Sequence, residues 1–222
     1  MKKKYMVIPS ILIMIVMSAF TAAPFIIEPN DTLSQTEIDG LLFMREEEKL
    51  AHDVYVYLYD LWGMQVFQNI AGSEQSHTEA VKSLLDLYGI ADPTIGQVEG
   101  SFVNSDLQSL YDQLISQGSQ SLEEALKVGA AIEEIDILDL QEMLSQTSNP
   151  DITRVYEILL KGSNNHLRAF TRTLQNQSGE VYEAQFMDSQ DYEAIISSQN
   201  GGRGGSGRSS NTGSRGQGLG RR

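Results

Sequence analysis

The chain has 222 residues, of which 41% are hydrophobic and 21% charged, and this length fits one domain of ordinary size, with or without tails. It contains no cysteine, which excludes a disulfide scaffold, a thiolate zinc site, an iron–sulfur cluster and a cysteine nucleophile. The formal net charge is −14, and the only histidines are His52, His77 and His166, so any metal site must rely on carboxylates.

The charge is distributed unevenly along the chain. Residues 28–200 hold all 30 acidic residues and eight of the 16 basic ones, which gives this segment a formal net charge of −22. Such a segment repels the phosphates of nucleic acids and anionic lipids, and it attracts cations. We therefore expect no nucleic-acid partner, and the sign of the charge is compatible with metal ions as ligands.

The N-terminus combines three lysines at positions 2–4 with an uncharged stretch over residues 5–27. This pattern is typical of a secretory signal or of a membrane anchor, and the stretch is long enough to span a bilayer of about 30 Å. Because the basic flank stays inside, the chain from Glu28 onward is expected to be exported, to the periplasm, the cell surface or the medium. Small residues at 21–23 favour cleavage and Pro24 disfavours it, so residues 1–27 are either a signal peptide or an anchor that attaches the chain to the membrane.

Apolar residues then recur at helical spacing, and no strand pattern competes. The first long helix is predicted from Thr36, with Asp39 completing a weak capping box, and ends before Gly63. The second runs from about Val66 to Tyr88. The third opens with a capping box over residues 121–124, and the fourth opens at residues 149–150 with an asparagine cap followed by proline.

The lengths of the connections predict the arrangement of these helices. Short links make antiparallel hairpins of the first two and of the last two long helices, and the link of some 30 residues between the hairpins allows a crossover that contains a short helix over residues 106–117. We predict an all-α domain over residues 28–200, a four-helix bundle with a long crossover. Residues 180–200 have room for one more short helix. Residues 201–222 are rich in glycine, arginine and serine, and they are predicted to be a disordered tail that either aids solubility or adheres to an anionic surface.

Six polar residues interrupt the apolar faces of the long helices near their midpoints, and together they are predicted to ligate metal: Glu48 in the first helix, Glu74 and His77 in the second, Glu133 and Asp136 in the third, and His166 in the fourth. Four carboxylates at one level of a bundle require protons or cations to neutralise them. Glu74 and His77 lie three residues apart on one helical face, so they can offer an oxygen and a nitrogen to one metal. A Glu from each of two helices with Glu-x-x-His from the others is the ligand set of di-iron carboxylate bundles.

Four segments carry a resemblance to a known family: Glu48-Lys-Leu-Ala-His-Asp-Val-Tyr55, Ile70-Ala-Gly-Ser-Glu-Gln-Ser-His77, Gly129-Ala-Ala-Ile-Glu-Glu-Ile-Asp136 and Gly162-Ser-Asn-Asn-His-Leu-Arg-Ala-Phe170. Over residues 36–176 the chain resembles the ferritin-like superfamily, near rubrerythrin, and looks most like an uncharacterised family of exported bacterial and archaeal ferritin-like domains. The resemblance implies a ferritin-like four-helix bundle in which the six residues hold two iron ions, with manganese or zinc as alternatives. It also implies oxidation of Fe(II), or reduction of peroxide or oxygen.

One departure from the family pattern concerns the fourth helix, where Ser163 stands in place of the expected glutamate. Either Asp136 takes over as a ligand, or the second metal binds weakly. A non-enzymatic metal-binding or envelope interaction module with a basic tail is the alternative function, and a second copy of the chain, in a homodimer, is a candidate partner.

The residues beside the predicted ligands have simpler expected roles. Glu46, Glu47 and Glu134 are expected on a solvated face, and Glu47 is the alternative to Glu48 as the ligand from the first helix. Tyr55, Tyr57 and Tyr59 either pack as aromatic rings, relay electrons or hydrogen-bond a ligand carboxylate.

Overall fold

The computed structural model describes residues 32–198, and these form six helices and no strand. The helices are α1 (Gln35–Trp62), α2 (Gln65–Tyr88), α3 (Ser105–Gly118), α4 (Leu122–Gln146), α5 (Pro150–Ser178) and α6 (Ser189–Ser197). The predicted all-α class is confirmed. The predicted signal or anchor (residues 1–27) and the predicted tail (residues 201–222) lie outside the described residues. No helix between residues 32 and 198 is both long and apolar enough to cross a bilayer.

The start of α1 differs from the prediction. The cap is Ser34, whose hydroxyl accepts from the Glu37 amide at 3.2 Å, while the Glu37 carboxylate accepts from the Ser34 amide at 2.8 Å. The predicted start at Thr36 with Asp39 in the capping box is therefore wrong. Glutamate is one methylene longer than aspartate, and Glu37 stands at the helical position from which that length reaches back to the cap.

The caps of the last two long helices follow the sequence more closely. Ser121 accepts from the amide of Glu124 at 3.1 Å, but the Glu124 carboxylate binds Lys127 at 3.0 Å and leaves the predicted capping box half formed. Asn149 caps α5 with Pro150 at its first position, as predicted, because proline has no amide hydrogen to leave unpaired there.

Each of the four long helices packs against two others: α1 against α2 and α4, and α5 against α4 and α2. The Tyr55 hydroxyl in the second half of α1 reaches the Gly129 carbonyl near the start of α4, and Gly40 near the start of α1 lies against Met143 near the end of α4, so these two helices run antiparallel. Two apolar clusters fill the interior. One contains Leu41, Leu85 and Leu159, and the other contains Leu58, Phe67, Leu126 and Phe170. Between the two clusters lies a layer of buried polar side chains from α1, α2, α4 and α5.

The long link between α2 and α4 is tied to α1 by buried charges. Arg45 donates from Nε to both oxygens of Asp92 at 3.1 Å, and Asp53 accepts from the Gly100 amide at 2.9 Å. Glu46 accepts from the Asn104 amide, at 3.1 Å, where α3 begins. The expectation that Glu46 lies on a solvated face is wrong, because its carboxylate neutralises backbone donors that the link would otherwise bury unpaired.

The segment that follows α5 is held in a similar way by Glu134 of α4. This residue is fully buried, and its carboxylate accepts from the Tyr182 hydroxyl at 2.6 Å and from the amides of Phe186 and Met187 at 2.8 and 2.9 Å. The expectation of a solvated Glu134 is therefore also wrong.

Candidate metal centre

The polar layer brings five of the six predicted ligands into two groups, each of which could hold a metal ion. The first group is Glu48, Glu74 and His77, and the second is Glu74, Glu133 and His166. Within each group the ligand atoms all lie within 4.8 Å of one another, and all the side chains are buried. Glu74 belongs to both groups, so one carboxylate joins them.

The contacts around Glu74 are nearly symmetrical. Its Oε2 lies 2.7 Å from Nδ1 of His77, and its Oε1 lies 2.7 Å from Nδ1 of His166. Glu48 approaches the first imidazole at 3.3 Å, and Glu133 approaches the second at 3.5 Å. The two imidazole rings are stacked with their centroids 5.6 Å apart. Each half of the centre thus offers one nitrogen, one carboxylate of its own and one oxygen of the shared carboxylate.

These atoms converge without satisfying one another. Nδ1 of His77, Nδ1 of His166, Oε1 of Glu74 and Oε1 of Glu48 are all buried, and none has a hydrogen-bond partner of acceptable geometry among the described residues. Buried polar groups in native proteins are nearly always hydrogen-bonded, so a cluster of nitrogen and oxygen atoms without such partners needs an explanation. Imidazole nitrogen and carboxylate oxygen suit iron, manganese and zinc, and the donor set therefore fits a transition metal ion.

The electrostatics of the layer point in the same direction. Burial opposes ionisation of Glu74, but the adjacent imidazoles of His166 and His77 outweigh it and lower the pKa of Glu74 to about 2. Burial likewise opposes the charged imidazoles, yet the carboxylates around them raise the pKa of His77 to about 11 and that of His166 to about 10. In the metal-free protein, protons on the two imidazoles offset part of the carboxylate charge, and metal cations would displace them, because a ligating imidazole must be deprotonated.

The remaining carboxylates of the layer resist ionisation. Burial, followed by the charge of Asp136, raises the pKa of Glu48 well above its ordinary value. Burial also raises the pKa of Glu133, and burial with the charge of Glu133 raises that of Asp136 to about 8. The layer thus holds more carboxylates than its histidines can neutralise, and a cation beside these groups would favour their ionised form.

Two further side chains orient the candidate ligands. The Tyr55 hydroxyl donates to Oε1 of Glu133 at 2.6 Å, while its ring packs 5.1 Å from that of Phe170, so Tyr55 both hydrogen-bonds and packs. Nε2 of His166 is hydrogen-bonded to the Ser73 hydroxyl at 3.0 Å. When that nitrogen carries the proton, Nδ1 presents its lone pair to the centre, an arrangement common for metal-binding histidines.

Asp136 lies beside the two groups but belongs to neither. Its Oδ2 accepts from the Ser163 hydroxyl, and its Oδ1 is buried without a partner among the described residues. Ser163 is 1% exposed, so the departure at this position faces the layer, as the spacing from His166 predicts. The role of Asp136 as a ligand stays a prediction. His52 lies outside both groups, with a half-buried side chain that contacts Asp53 at 3.0 Å.

Sequence reasoning missed two features of this layer. Glu47, expected on a solvated face, is 3% exposed, so that expectation is wrong. Gly162 lies against the His77 ring, and a methyl group at position 162 would come within 2.5 Å of its Cε1 and Nε2. A glycine in the middle of a helix lowers the stability of that helix, and its presence in the sequence was the sign that another side chain packs closely against this position.

Comparison with known proteins places the chain in a family. The family model described as an uncharacterized protein domain, DUF2202, matches residues 37–199. The chain belongs to this family. The predicted resemblance to an uncharacterised family is thereby confirmed, and membership of the ferritin-like superfamily stays a prediction.

One relative is similar in sequence and has a solved structure. The uncharacterized protein MJ0754 of Methanocaldococcus jannaschii is 50% identical over 170 residues, which cover 77% of this chain and 91% of that protein. The crystal structure of hypothetical protein MJ0754 from Methanococcus jannaschii DSM 2661 matches with a TM-score of 0.73 and 47% identity, over 82% of this chain and 99% of that chain. The helical fold described above is thus similar to that of a solved structure.

Proposed function

We propose that this chain is an exported ferritin-like protein that binds two metal ions, iron in preference to manganese or zinc, in a four-helix bundle of α1, α2, α4 and α5. The link containing α3 is then the crossover between its two hairpins. The proposed activity is oxidation of Fe(II) or reduction of peroxide or oxygen. Export rests on the lysines and the uncharged stretch of residues 2–27.

The observation that carries this proposal is the position of Glu74. Its two oxygens each lie 2.7 Å from a different imidazole nitrogen, which leaves the carboxylate between two nearly equivalent sets of ligand atoms. This carboxylate could therefore be shared by two metal ions, one in each set. Glu48 and Glu133 then complete the two halves from α1 and α4.

The side chains of the layer would have different roles in such a centre. Bound iron would supply the electrons for reduction of an oxidant. His77 and His166 would each hold one ion, and Tyr55 fixes the orientation of Glu133 by donating to its Oε1. Asp136 lies in the same layer, next to the two groups of ligand atoms, and accepts a hydrogen bond from Ser163.

Metal analysis tests the proposal directly. Protein purified without a histidine tag is expected to bind two Fe(II) or Mn(II) ions per chain under anaerobic conditions, and the iron-loaded protein is expected to consume added peroxide or oxygen. Glu74→Gln keeps the size of the side chain but removes its charge, so it should weaken both sites together. Absence of iron, manganese and zinc binding at micromolar concentrations would refute the proposal.

The matched control is Glu79→Gln, the same change five residues further along α2 at an exposed position. It should leave the metal stoichiometry at two. Loss of a single ion in Glu74→Gln would contradict a shared carboxylate. Two bound ions without consumption of either oxidant would favour the non-enzymatic metal-binding module instead.

A further inference from the structure

The two groups of candidate ligands differ in the hydroxyls that contact them. In the second group, the Tyr55 hydroxyl donates to Oε1 of Glu133 at 2.6 Å, and the Ser73 hydroxyl is hydrogen-bonded to Nε2 of His166 at 3.0 Å. Oε2 of Glu133 and Nδ1 of His166, the atoms that the hydroxyls leave free, lie 3.5 Å apart. Each ligand that belongs to the second group alone is thus fixed by a hydroxyl through the atom that does not face its partner.

The first group has no such contacts among residues 32–198. Oε1 of Glu48 is buried without a hydrogen bond, and the only polar contacts of His77 are those of Nδ1 with Glu48 and Glu74. The Cε1 and Nε2 edge of the His77 ring lies against Gly162, which offers no polar side chain. Packing against a glycine limits where the ring can lie, but it does not fix which ring nitrogen carries the proton.

Hydrogen bonds of this kind change metal affinity. A neutral histidine that ligates a metal through Nδ1 carries its proton on Nε2, and an acceptor at Nε2 stabilises that tautomer and makes Nδ1 a stronger base. Ser73 provides this acceptor for His166. Loss of such a partner lowers metal affinity by about 10- to 100-fold, so the contacts of the second group are large enough to make the two sites unequal.

We propose that Ser73 and Tyr55 are positioning residues that make the second group the tight metal site, while the first group holds an ion that exchanges more readily. This inference rests on the proposed function, because it assigns different affinities to the two ions proposed there. It opposes the sequence-based alternative that the ion beside His166 binds weakly because Ser163 stands in place of a glutamate.

Anaerobic titration of the full-length, metal-free protein with Co(II) tests this order, because the visible absorption of Co(II) reports the ligands around it. The wild type should bind its two ions in two phases whose affinities differ by about tenfold or more. His166→Gln should remove the tight phase, and His77→Gln should remove the weak one. Ser73→Ala should weaken the tight phase by about tenfold or more, and Ser73→Thr, which keeps the hydroxyl, should restore it.

The matched control is Ser76→Ala on the same helix, because the exposed Ser76 hydroxyl donates to the Gly72 carbonyl and contacts no candidate ligand. Both phases of this variant should stay within twofold of the wild type. Tyr55→Phe is a second test of the tight phase, because it keeps the aromatic ring beside Phe170 and removes only the donor to Glu133.

Four results would overturn this inference and leave the proposed function standing. They are two phases of equal affinity, loss of the tight phase in His77→Gln, a Ser73→Ala titration that matches that of Ser76→Ala, and a Ser73→Thr variant as weak as Ser73→Ala. The last result would show that packing, and not the hydroxyl, supports His166. Failure of the wild type to bind Co(II), iron, manganese or zinc would refute the proposed function as well.

Discussion

Ser163 of α5 donates a hydrogen bond to Oδ2 of Asp136 on α4. The ferritin-like resemblance implies a glutamate at position 163, and the serine that replaces it meets a carboxylate that reaches across from the neighbouring helix. Both side chains are buried in the polar layer. The carboxyl group missing from α5 is thus present in the layer, but it extends from α4.

A glutamate at position 163 should therefore change both metal binding and the stability of the metal-free protein. Ser163→Glu adds an oxygen ligand three residues before His166, on the same face, and should tighten binding of the ion held by Glu74, Glu133 and His166. It also adds a buried charge next to Asp136, so the metal-free protein should lose stability by an amount on the order of a few kcal/mol. Anaerobic titration with Mn(II), together with urea unfolding of both forms, measures the two effects.

The matched variant moves the carboxylate instead of adding one. Asp136→Ser combined with Ser163→Glu keeps the number of acidic groups and should restore most of the stability of the metal-free protein. If Ser163→Glu leaves Mn(II) binding unchanged and the metal-bound form becomes less stable, residue 163 does not reach the second ion, and Asp136 alone supplies the oxygen.

Gly162 determines where the His77 ring can lie. A methyl group at this position would come within 2.5 Å of two ring atoms, well inside van der Waals contact. Gly162→Ala should therefore push the imidazole away from Glu48 and Glu74 and weaken metal binding at the first group by about tenfold or more, since ligand geometry must be held to about 0.5 Å. Metal titration with one-ion resolution shows whether the first site is weakened selectively.

Gly72 provides the control, because it lies in α2 with no neighbour within 4 Å of an added methyl group. Gly72→Ala should leave metal binding unchanged and raise stability by up to about 1 kcal/mol through helix propensity alone. Equal effects of the two substitutions on metal binding would contradict a specific contact between Gly162 and His77.

The stability of the metal-free protein should fall as pH rises from 5 to 8. Burial, followed by the charge of Glu133, raises the pKa of Asp136 to about 8 from an ordinary 3.8, so between these values the folded chain holds a proton that the unfolded chain has lost. The free energy of unfolding then decreases with pH, by at most about 1.4 kcal/mol per unit for one group. His77, with its pKa raised to about 11, contributes in the same direction above its ordinary 6.5. Urea unfolding of chelator-treated protein measures the slope.

Asp136→Asn separates the contribution of Asp136 to this slope from that of His77, because the asparagine amide replaces the protonated carboxyl and does not titrate. Its slope between pH 5 and 6.5 should be flatter than that of the wild type. Glu74, with its pKa lowered to about 2, acts in the opposite direction only below about pH 4.5 and does not affect this range. A wild-type stability that rises from pH 5 to 8 would show that Asp136 is ionised in the folded protein.

The helical class and the inward position of the six candidate ligands could be predicted because both follow from apolar periodicity. Glu48 and His166 interrupt apolar stripes, and the structure buries them where those stripes meet. Periodicity also brought Glu74 and His77 to one face, which the contact of 2.7 Å now confirms.

The roles of Glu46, Glu47 and Glu134 could not be predicted in the same way. They flank the stripe residues in sequence, and on an isolated helix they would point toward solvent. The segments that bury Glu46 and Glu134 come from distant parts of the chain, residues 103–104 and 182–187, and bring unpaired backbone amides with them. Only tertiary contacts reveal such partners, because a carboxylate gives no local sign that it will accept from a remote amide.

Glu134 gives a prediction about the segment that follows α5. Its carboxylate accepts from the Tyr182 hydroxyl and from three successive amides at 185–187, and it is fully buried. Glu134→Gln replaces one acceptor oxygen by a donor that faces these donors, and hydrogen bonds to a charged group contribute about 1.5–3 kcal/mol each. We expect the free energy of unfolding to fall by at least about 2 kcal/mol. Glu142→Gln, an exposed change on the same helix, should alter it by less than about 0.5 kcal/mol.

The variant should also show where the stability is lost. Arg168 holds α6 through the Ile195 carbonyl at 2.9 Å, so the segment has a second attachment, independent of Glu134. Hydrogen exchange of the Glu134→Gln variant should therefore accelerate at the amides of residues 185–187 and much less at α6. Glu133, the preceding residue on α4, should still contribute to two-ion binding. Uniform acceleration through α4 and α5, or loss of one bound ion, would mean that Glu134 supports the metal centre itself rather than the attachment of this segment.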